Sequence, residues 1–281
     1  MLVSLREVLE KAKRERYCVC AFNVYNYESI SSVLKGASEL NSPVIIAFGE
    51  RYIKYIPLDL ISLIVKNLSR KYSIPIVLHL DHAYNLDIIK QAIKEGFTSV
   101  MYDGSKLSLE ENIRITKNVV KLAHSKKVSV EAELGYVTKA EESKMEYRFT
   151  DPYEAKIFVS ETEIDALAIA IGNIHGLRAY KGIVKLDLIL LDRIRKLCDI
   201  PLVLHGGSGI SYEELKKAVN LGICKLNINT ELSMAAIEEI KRAIQYSDES
   251  LRMENLMVNA SNAIERVVKF YITLLGSKGK A

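Results

Sequence analysis

The chain has 281 residues, 49% of them hydrophobic and 26% charged, with a formal net charge of +4. This length fits two ordinary domains or one α/β barrel, and the apolar share suffices for a large core. The charge is too small to indicate nucleic acid, and an anionic small molecule would suit it equally well. No apolar run approaches the about 20 residues that span a bilayer, so no membrane partner is expected.

The four cysteines, Cys18, Cys20, Cys198 and Cys224, do not have the spacing of a zinc ribbon. Cys18 and Cys20 would share one face of a strand, where small buried thiols are common. The N-terminus becomes charged at Arg6, too early for a signal peptide. We therefore expect core cysteines in a reducing compartment and a cytoplasmic location.

Strands and helices alternate along the chain, after a first helix at about 4–15 that begins with a capping box. Strands are expected at 17–24, 44–48, 76–80, 99–102, 128–133, 166–171, 202–204 and 225–229. Helices are expected at about 27–40, 58–72, 86–95, 109–125, from 152 onward, 188–197, from 211 onward, 231–245 and 259–275.

The strands are short and apolar, as expected when both faces of a parallel sheet are buried. Eight such units predict an α/β protein, a (β/α)8 TIM barrel in one domain over residues 1–281. The first helix would be an N-terminal cap and the helix at about 259–275 a C-terminal extension. An open doubly wound sheet is the alternative, but no glycine-rich turn follows the first strand.

Polar residues stand where the strands end, and in a barrel these ends converge on one mouth. They are Asp81, His82, Asp103, Glu131, Glu133, His175, His205, Asn227 and Asn229. Three of the five histidines are in this set, and three neutral imidazoles with an open position form a catalytic zinc site. Each histidine alone would also fit an ordinary strand end. His79, inside the third strand, is expected in the core, and His124, late in a helix, on the surface.

The stretch Gly206-Gly207-Ser208-Gly209 follows the seventh strand directly. Adjacent glycines let backbone N–H groups approach an anion, although such a stretch can also be a flexible turn. Together with 227–230 after the eighth strand, it occupies the phosphate-binding position of many barrels. The residues alone thus indicate a metal ion, an adjacent acid or base in Asp81, and a phosphate cradle.

Five motifs resemble those of class II, zinc-dependent fructose-bisphosphate aldolases, a family that includes tagatose-bisphosphate aldolases. They are Leu80-Asp81-His82, Glu131-Ala132-Glu133-Leu134-Gly135, Ile171-Gly172-Asn173-Ile174-His175-Gly176, Val203-Leu204-His205-Gly206-Gly207-Ser208-Gly209 and Leu226-Asn227-Ile228-Asn229-Thr230-Glu231. The resemblance runs from Ala21 to the C-terminus.

The resemblance implies a role for each matching residue. The zinc ligands would be His82, His175 and His205, with Asp103 and Glu133 able to hold a second or displaced ion. Asp81 would be the acid/base, Asn227 would stabilise developing negative charge, and Glu142, or Glu141 beside it, would return a proton from a loop. Contacts to dihydroxyacetone phosphate would come from Gly176, Gly206, Gly207, Ser208, Asn227, Ile228, Asn229 and Thr230.

The implied activity is reversible, Zn²⁺-dependent cleavage of fructose 1,6-bisphosphate to dihydroxyacetone phosphate and glyceraldehyde 3-phosphate. Tagatose-1,6-bisphosphate aldolase, or a weakened relative that binds sugar phosphates, is the alternative. The expected partners are phosphorylated ketoses and triose phosphates, and the chain would form a homodimer or homotetramer. The resemblance allows a monovalent cation as a further cofactor.

Two departures from the family pattern concern the substrate. Gly49 stands after the second strand where the family usually has serine, and Arg51 either compensates for the missing hydroxyl or changes the substrate. The stretch 135–142 lacks the pair of glycines that usually follows Glu-Leu-Gly.

Two other enzyme classes fit part of this pattern. A zinc hydrolase on a barrel would use the same ligands, but a phosphate cradle argues against most of these. A Schiff-base aldolase would need a barrel lysine. The sixth strand has none, and Lys225 is expected at the wrong end of the eighth.

Overall fold

A computed structural model describes residues 1–136, 148–174, 184–246 and 251–281. Eight parallel strands pair in chain order, and β8 closes onto β1. The strands are β1 (Val19–Asn23), β2 (Val44–Gly49), β3 (Ile76–Ala83), β4 (Ser99–Tyr102), β5 (Ser129–Leu134), β6 (Ala166–Ile169), β7 (Leu202–Leu204) and β8 (Ile223–Ile228). The predicted (β/α)8 barrel is confirmed.

Helices alternate with these strands on the outside of the barrel. They are α1 (Leu5–Glu15), α2 (Tyr27–Glu39), α3 (Leu58–Ser69), α4 (Leu86–Glu95), α5 (Leu109–His124), α6 (Pro152–Thr162), α7 (Leu188–Leu197), α8 (Tyr212–Asn220), α9 (Thr230–Tyr246) and α10 (Met253–Leu274). Several begin at a capping side chain: Ser4, Asn26, Ser108 and Ser211 each accept a hydrogen bond from a backbone N–H of the first helical turn.

The helix α1 closes the N-terminal end of the barrel. Its Leu5 and Leu9 are fully buried in one apolar cluster with inward-facing strand residues such as Ala47, Val77 and Val203. Small and branched side chains fill the lower barrel interior, as is usual for this fold. The polar side chains of the barrel interior therefore lie toward the opposite end, where the strands finish.

The C-terminal helix α10 begins at Met253, earlier than the predicted start near residue 259. The predicted start was wrong because no capping side chain marks the beginning of this helix at Arg252. Its buried side chains, Ile264 and Val268 among them, pack onto α2. A Cβ on Gly36 would lie 2.9 Å from a methyl group of Val268, so glycine permits this close approach.

Among the helices in the described ranges, none is long and apolar enough to cross a membrane.

Candidate active site

The end of β3 has an irregular backbone that directs two consecutive residues toward the barrel mouth. The pairing of β3 with β4 shifts register between Leu80 and Ala83, and His82 has a φ of +46°. In a regular strand, neighbouring side chains would point to opposite faces. A left-handed non-glycine residue costs energy and is commonly found at functional sites. Because of this irregularity, Asp81 and His82 both line the same cavity.

His82 and His205 face each other across the top of the barrel. Nε2 of His82 lies 2.8 Å from Nδ1 of His205. On their far sides, His82 Nδ1 lies 2.9 Å from an oxygen of Asp103 and His205 Nε2 lies 2.7 Å from an oxygen of Glu131. A carboxylate that accepts a proton from one ring nitrogen leaves the other as a metal donor. The two facing ring nitrogens are therefore the atoms that would hold a divalent metal ion.

Carboxylates complete two groups of potential metal ligands. One group is Asp81, His82 and His205, and the other is His82, Asp103 and Glu133, with donor atoms within 4.8 Å of one another in each. Glu133 is buried, and burial together with the Asp103 carboxylate raises its pKa well above the usual range. Such crowding of carboxylates favours the presence of a cation.

Four predicted site residues lie outside the described residues. They are the third histidine, His175, its neighbour Gly176, and the two candidates for the loop acid, Glu141 and Glu142. The roles that the resemblance implies for them stay predictions.

Two amide side chains hold the Asp81 carboxylate. Asn23 donates to one of its oxygens at 2.9 Å, and Asn227 donates to the other, also at 2.9 Å. Burial raises the pKa of Asp81, but the neighbouring imidazoles of His82 and His205 outweigh it and hold that pKa below its usual range. Asp81 is thus an ionised, oriented base.

The contact from Asn23 was not predicted. Its only signal in the sequence was a polar residue at the end of an apolar strand, the same pattern that identified the other site residues.

A buried charged layer lies directly below the histidines. The ammonium group of Lys225 lies 2.9 Å and 2.8 Å from the two oxygens of Glu131, and both residues are fully buried. Burial raises the pKa of Glu131, but Lys225 outweighs it, so the pKa is lowered. Lys225 lies inside β8, because that strand begins at Ile223 rather than at the predicted residue 225.

His79 belongs to the same buried layer, as predicted for a core histidine. Its Nδ1 lies 2.8 Å from the hydroxyl of Ser99. Burial, assisted by the nearby ammonium of Lys225, lowers the pKa of His79 to about 3, so the ring is neutral. His124, predicted at the surface, is half-buried and bonds Asp165 at 2.9 Å.

The glycine-rich loop after β7, the predicted phosphate cradle, has a backbone that favours glycine at two positions. Gly206 has a φ of +64°, which glycine adopts without strain. A Cβ on Gly207 would lie only 3.0 Å from a methyl group of Leu226 on β8. The hydroxyl of Ser208 faces the cavity and donates to Glu231 at 2.5 Å.

The loop after β8 lines the same cavity on the other side of the predicted cradle. Asn229 accepts a hydrogen bond from the Tyr25 hydroxyl and donates to the Tyr52 hydroxyl at 3.4 Å. Thr230 lines the cavity at the first residue of α9, where helix N–H groups favour an anion. Ile228 is buried in β8, so it can contact a ligand only through its backbone.

One cavity of about 660 Å³ at the carboxyl ends of the strands is lined by Asp81, His82, Asp103, Glu133, Gly206, Ser208, Asn227, Asn229 and Thr230. This is the place where barrel enzymes carry their active sites. Facing imidazoles, an oriented carboxylate and a glycine-rich loop at one cavity are the features of an enzyme site suited to metal-assisted proton transfer.

Comparison with known proteins identifies the family. The family model described as fructose-bisphosphate aldolase class-II matches residues 3–280, so the chain belongs to that family. The resemblance seen in the motifs is confirmed.

Individual relatives agree on the family but not on the substrate. The chain is 38% identical to a fructose-bisphosphate aldolase of Helicobacter pylori, with both chains covered completely. It is also 38% identical to a 6-phospho-5-dehydro-2-deoxy-D-gluconate aldolase of Bacillus subtilis, over 99% of this chain and 97% of that protein. Among solved structures, the YdjI aldolase of Escherichia coli K12 superposes with a TM-score of 0.90 at 36% identity, covering all of both chains.

Proposed function

We propose that this protein is a zinc-dependent ketose-bisphosphate aldolase that reversibly cleaves fructose 1,6-bisphosphate to dihydroxyacetone phosphate and glyceraldehyde 3-phosphate. The main support is the position of Asp81. Its ionised carboxylate is fixed by two amides beside the facing rings of His82 and His205. The relative from Helicobacter pylori that bears this activity in its name supports the choice of substrate.

The metal ion would be held by His82, His205 and the predicted third ligand His175. When bound, the ion would polarise the ketone of the substrate and stabilise negative charge that develops beside it. Asp103 anchors the ring of His82, and with Glu133 it offers carboxylate oxygens for a second or displaced ion. Histidine-rich sites favour zinc but also accept other divalent ions.

Proton transfer would begin at Asp81. Its carboxylate takes the proton of the C4 hydroxyl, the C3–C4 bond breaks, and the bond electrons remain on the three-carbon fragment that becomes dihydroxyacetone phosphate. The amide of Asn227, which donates to Asp81 in the structure, would donate to that developing charge. The proton that quenches C3 would come from Glu142, which stays a prediction.

The phosphate of the three-carbon half would lie in the cradle. Gly206, Ser208, Asn229 and Thr230 line the cavity there, and α9 begins at Thr230. Their polar groups and the N-terminus of α9 would bind this phosphate. A phosphate at this position would keep the reacting carbons near Asp81 through every turnover.

A second candidate substrate is 6-phospho-5-dehydro-2-deoxy-D-gluconate, because the Bacillus subtilis relative is as similar as the Helicobacter pylori one. The tagatose epimer of the bisphosphate is a third. The expectation of a homodimer or homotetramer stays a prediction.

The deciding experiment compares these three substrates with metal-replete protein, with and without a strong chelator. We expect cleavage of fructose 1,6-bisphosphate that the chelator abolishes and zinc restores. Full activity after metal removal would refute the metal mechanism. Preference for another substrate in the set would keep the aldolase mechanism and reassign its substrate.

A further inference from the structure

Arg51 carries a positive charge at the rim of the active-site cavity. It lies in the short 3-10 turn Glu50–Tyr52 that follows β2, and it lines the cavity. Its guanidinium stacks 4.7 Å from the centre of the Tyr52 ring and donates to the hydroxyl of that ring at 2.5 Å. Among the residues that the structure describes, no carboxylate lies within ion-pair distance of Arg51. The guanidinium charge can therefore form an ion pair with an anionic ligand.

The Tyr52 ring packs closely against Gly49, which has no side chain. A Cβ at residue 49 would lie 3.3 Å from two carbons of that ring, which is tighter than ordinary contact. Tyr25 packs against the ring edge-on, with centroids 5.1 Å apart. The glycine that replaces the family's usual serine thus makes room for a tyrosine that orients an arginine.

Arg51 approaches the cavity from a different loop than the phosphate cradle, and the two meet at the Tyr52 hydroxyl, which accepts hydrogen bonds from both Arg51 and Asn229. The cradle follows β7 and β8, whereas Arg51 follows β2, which is separated from β8 by β1. The cradle already supplies backbone N–H groups, hydroxyls and a helix N-terminus to one phosphate. A separate arginine suits a second anion, because its planar fork binds phosphate or carboxylate with two parallel hydrogen bonds.

We propose that Arg51 binds a second acidic group of the substrate, on the half that leaves as the aldehyde. The protein would then prefer aldehydes that carry a phosphate or a carboxylate over neutral ones. This inference rests on the proposed aldolase function, and it names a residue that determines specificity within it.

The test uses the condensation direction, with dihydroxyacetone phosphate held constant. Three aldehydes are compared: D-glyceraldehyde, which is neutral, D-glyceraldehyde 3-phosphate, and succinic semialdehyde as a carboxylate. Arg51→Gln should lower kcat/KM for the preferred acidic aldehyde by about 10- to 100-fold, the size expected for a lost charged hydrogen bond. The value for D-glyceraldehyde should change by less than about threefold, within the scatter of single-contact effects.

Lys54→Gln is the matched control. Lys54 is a cation stacked 4.8 Å from the centre of the Tyr55 ring in the same segment, and it is not among the residues that line the cavity. This variant should behave as wild type with all three aldehydes.

The outcomes separate the two hypotheses. Loss confined to the phosphorylated aldehyde, or to the carboxylate, supports the inference and identifies the acid. Equal loss with all three aldehydes, with a raised KM for dihydroxyacetone phosphate, would assign Arg51 to the cradle and overturn it, as would no loss at all. A wild-type protein that condenses none of the three refutes the proposed aldolase function itself.

Discussion

Replacing Lys225 with methionine should destabilise the protein strongly although the two side chains are similar in size. The substitution leaves the Glu131 carboxylate buried without the ammonium group that now lies 2.8 Å away. Breaking a buried pair by removing one partner typically costs about 3–5 kcal/mol. Replacing both partners by neutral residues is often close to neutral. The double variant Glu131→Gln with Lys225→Met should therefore recover most of the loss.

The measurement is urea unfolding of metal-free protein, so that ligand binding adds nothing to the free energy of unfolding. The loss in Lys225→Met should also depend on pH. Without the lysine, burial would raise the pKa of Glu131 above its value of about 4.3 in the unfolded chain. The folded state would then lose stability as pH rises above about 4, and the double variant would lack this dependence.

Two results would contradict this reasoning. One is a loss below about 1 kcal/mol for Lys225→Met, the level of an exposed pair. The other is an equal loss in the single and the double variant, which would mean that packing rather than the stranded charge sets the cost. Lys54→Met, at an exposed position, is the control and should leave the free energy of unfolding almost unchanged.

Asn23→Ala removes one of the two amides on Asp81 and should lower kcat by about 10- to 100-fold, the cost of one charged hydrogen bond. The zinc content should equal that of wild type, and a loss of zinc would contradict the role. His205→Ala should weaken zinc binding, measured by chelator competition. The loss should exceed about 100-fold, because removing a residue that only hydrogen-bonds a metal ligand typically costs about 10- to 100-fold in affinity. His124→Ala should bind zinc as wild type does. Gly49→Ser should crowd the tyrosine that carries Arg51 and reduce the preference for acidic aldehydes; an unchanged preference would argue against that packing.

Much of the site could be predicted because of how a barrel is built. Short apolar runs with both faces buried identify parallel strands, and their carboxyl ends meet at one mouth. The sequence alone therefore locates a polar residue at such a strand end in the mouth of the barrel. Asp81, His82 and His205 were identified in this way, and the structure brings them together.

Other features depend on contacts between strands and could not be predicted from the local sequence. The left-handed backbone at His82 arises from a register shift between β3 and β4. Asn23 reaches Asp81 because β1 and β3 both pair with β2, whose register sets the stagger between the two residues. The early start of α10 was missed because the boundary of a long helix has no strong local signal without a capping side chain.

By itself, the sequence determined the barrel, the order of its units and the residue types at its mouth, since these follow from periodicity and strand length. Only the tertiary structure decided which atoms meet. Lys225 and Glu131 are 94 residues apart, and nothing in the sequence near either residue indicates their contact. Their contact is set by strand register around a closed sheet, which depends on all eight strands together. The closed barrel also places Arg51, a charged loop residue in the sequence, at the rim of the cavity.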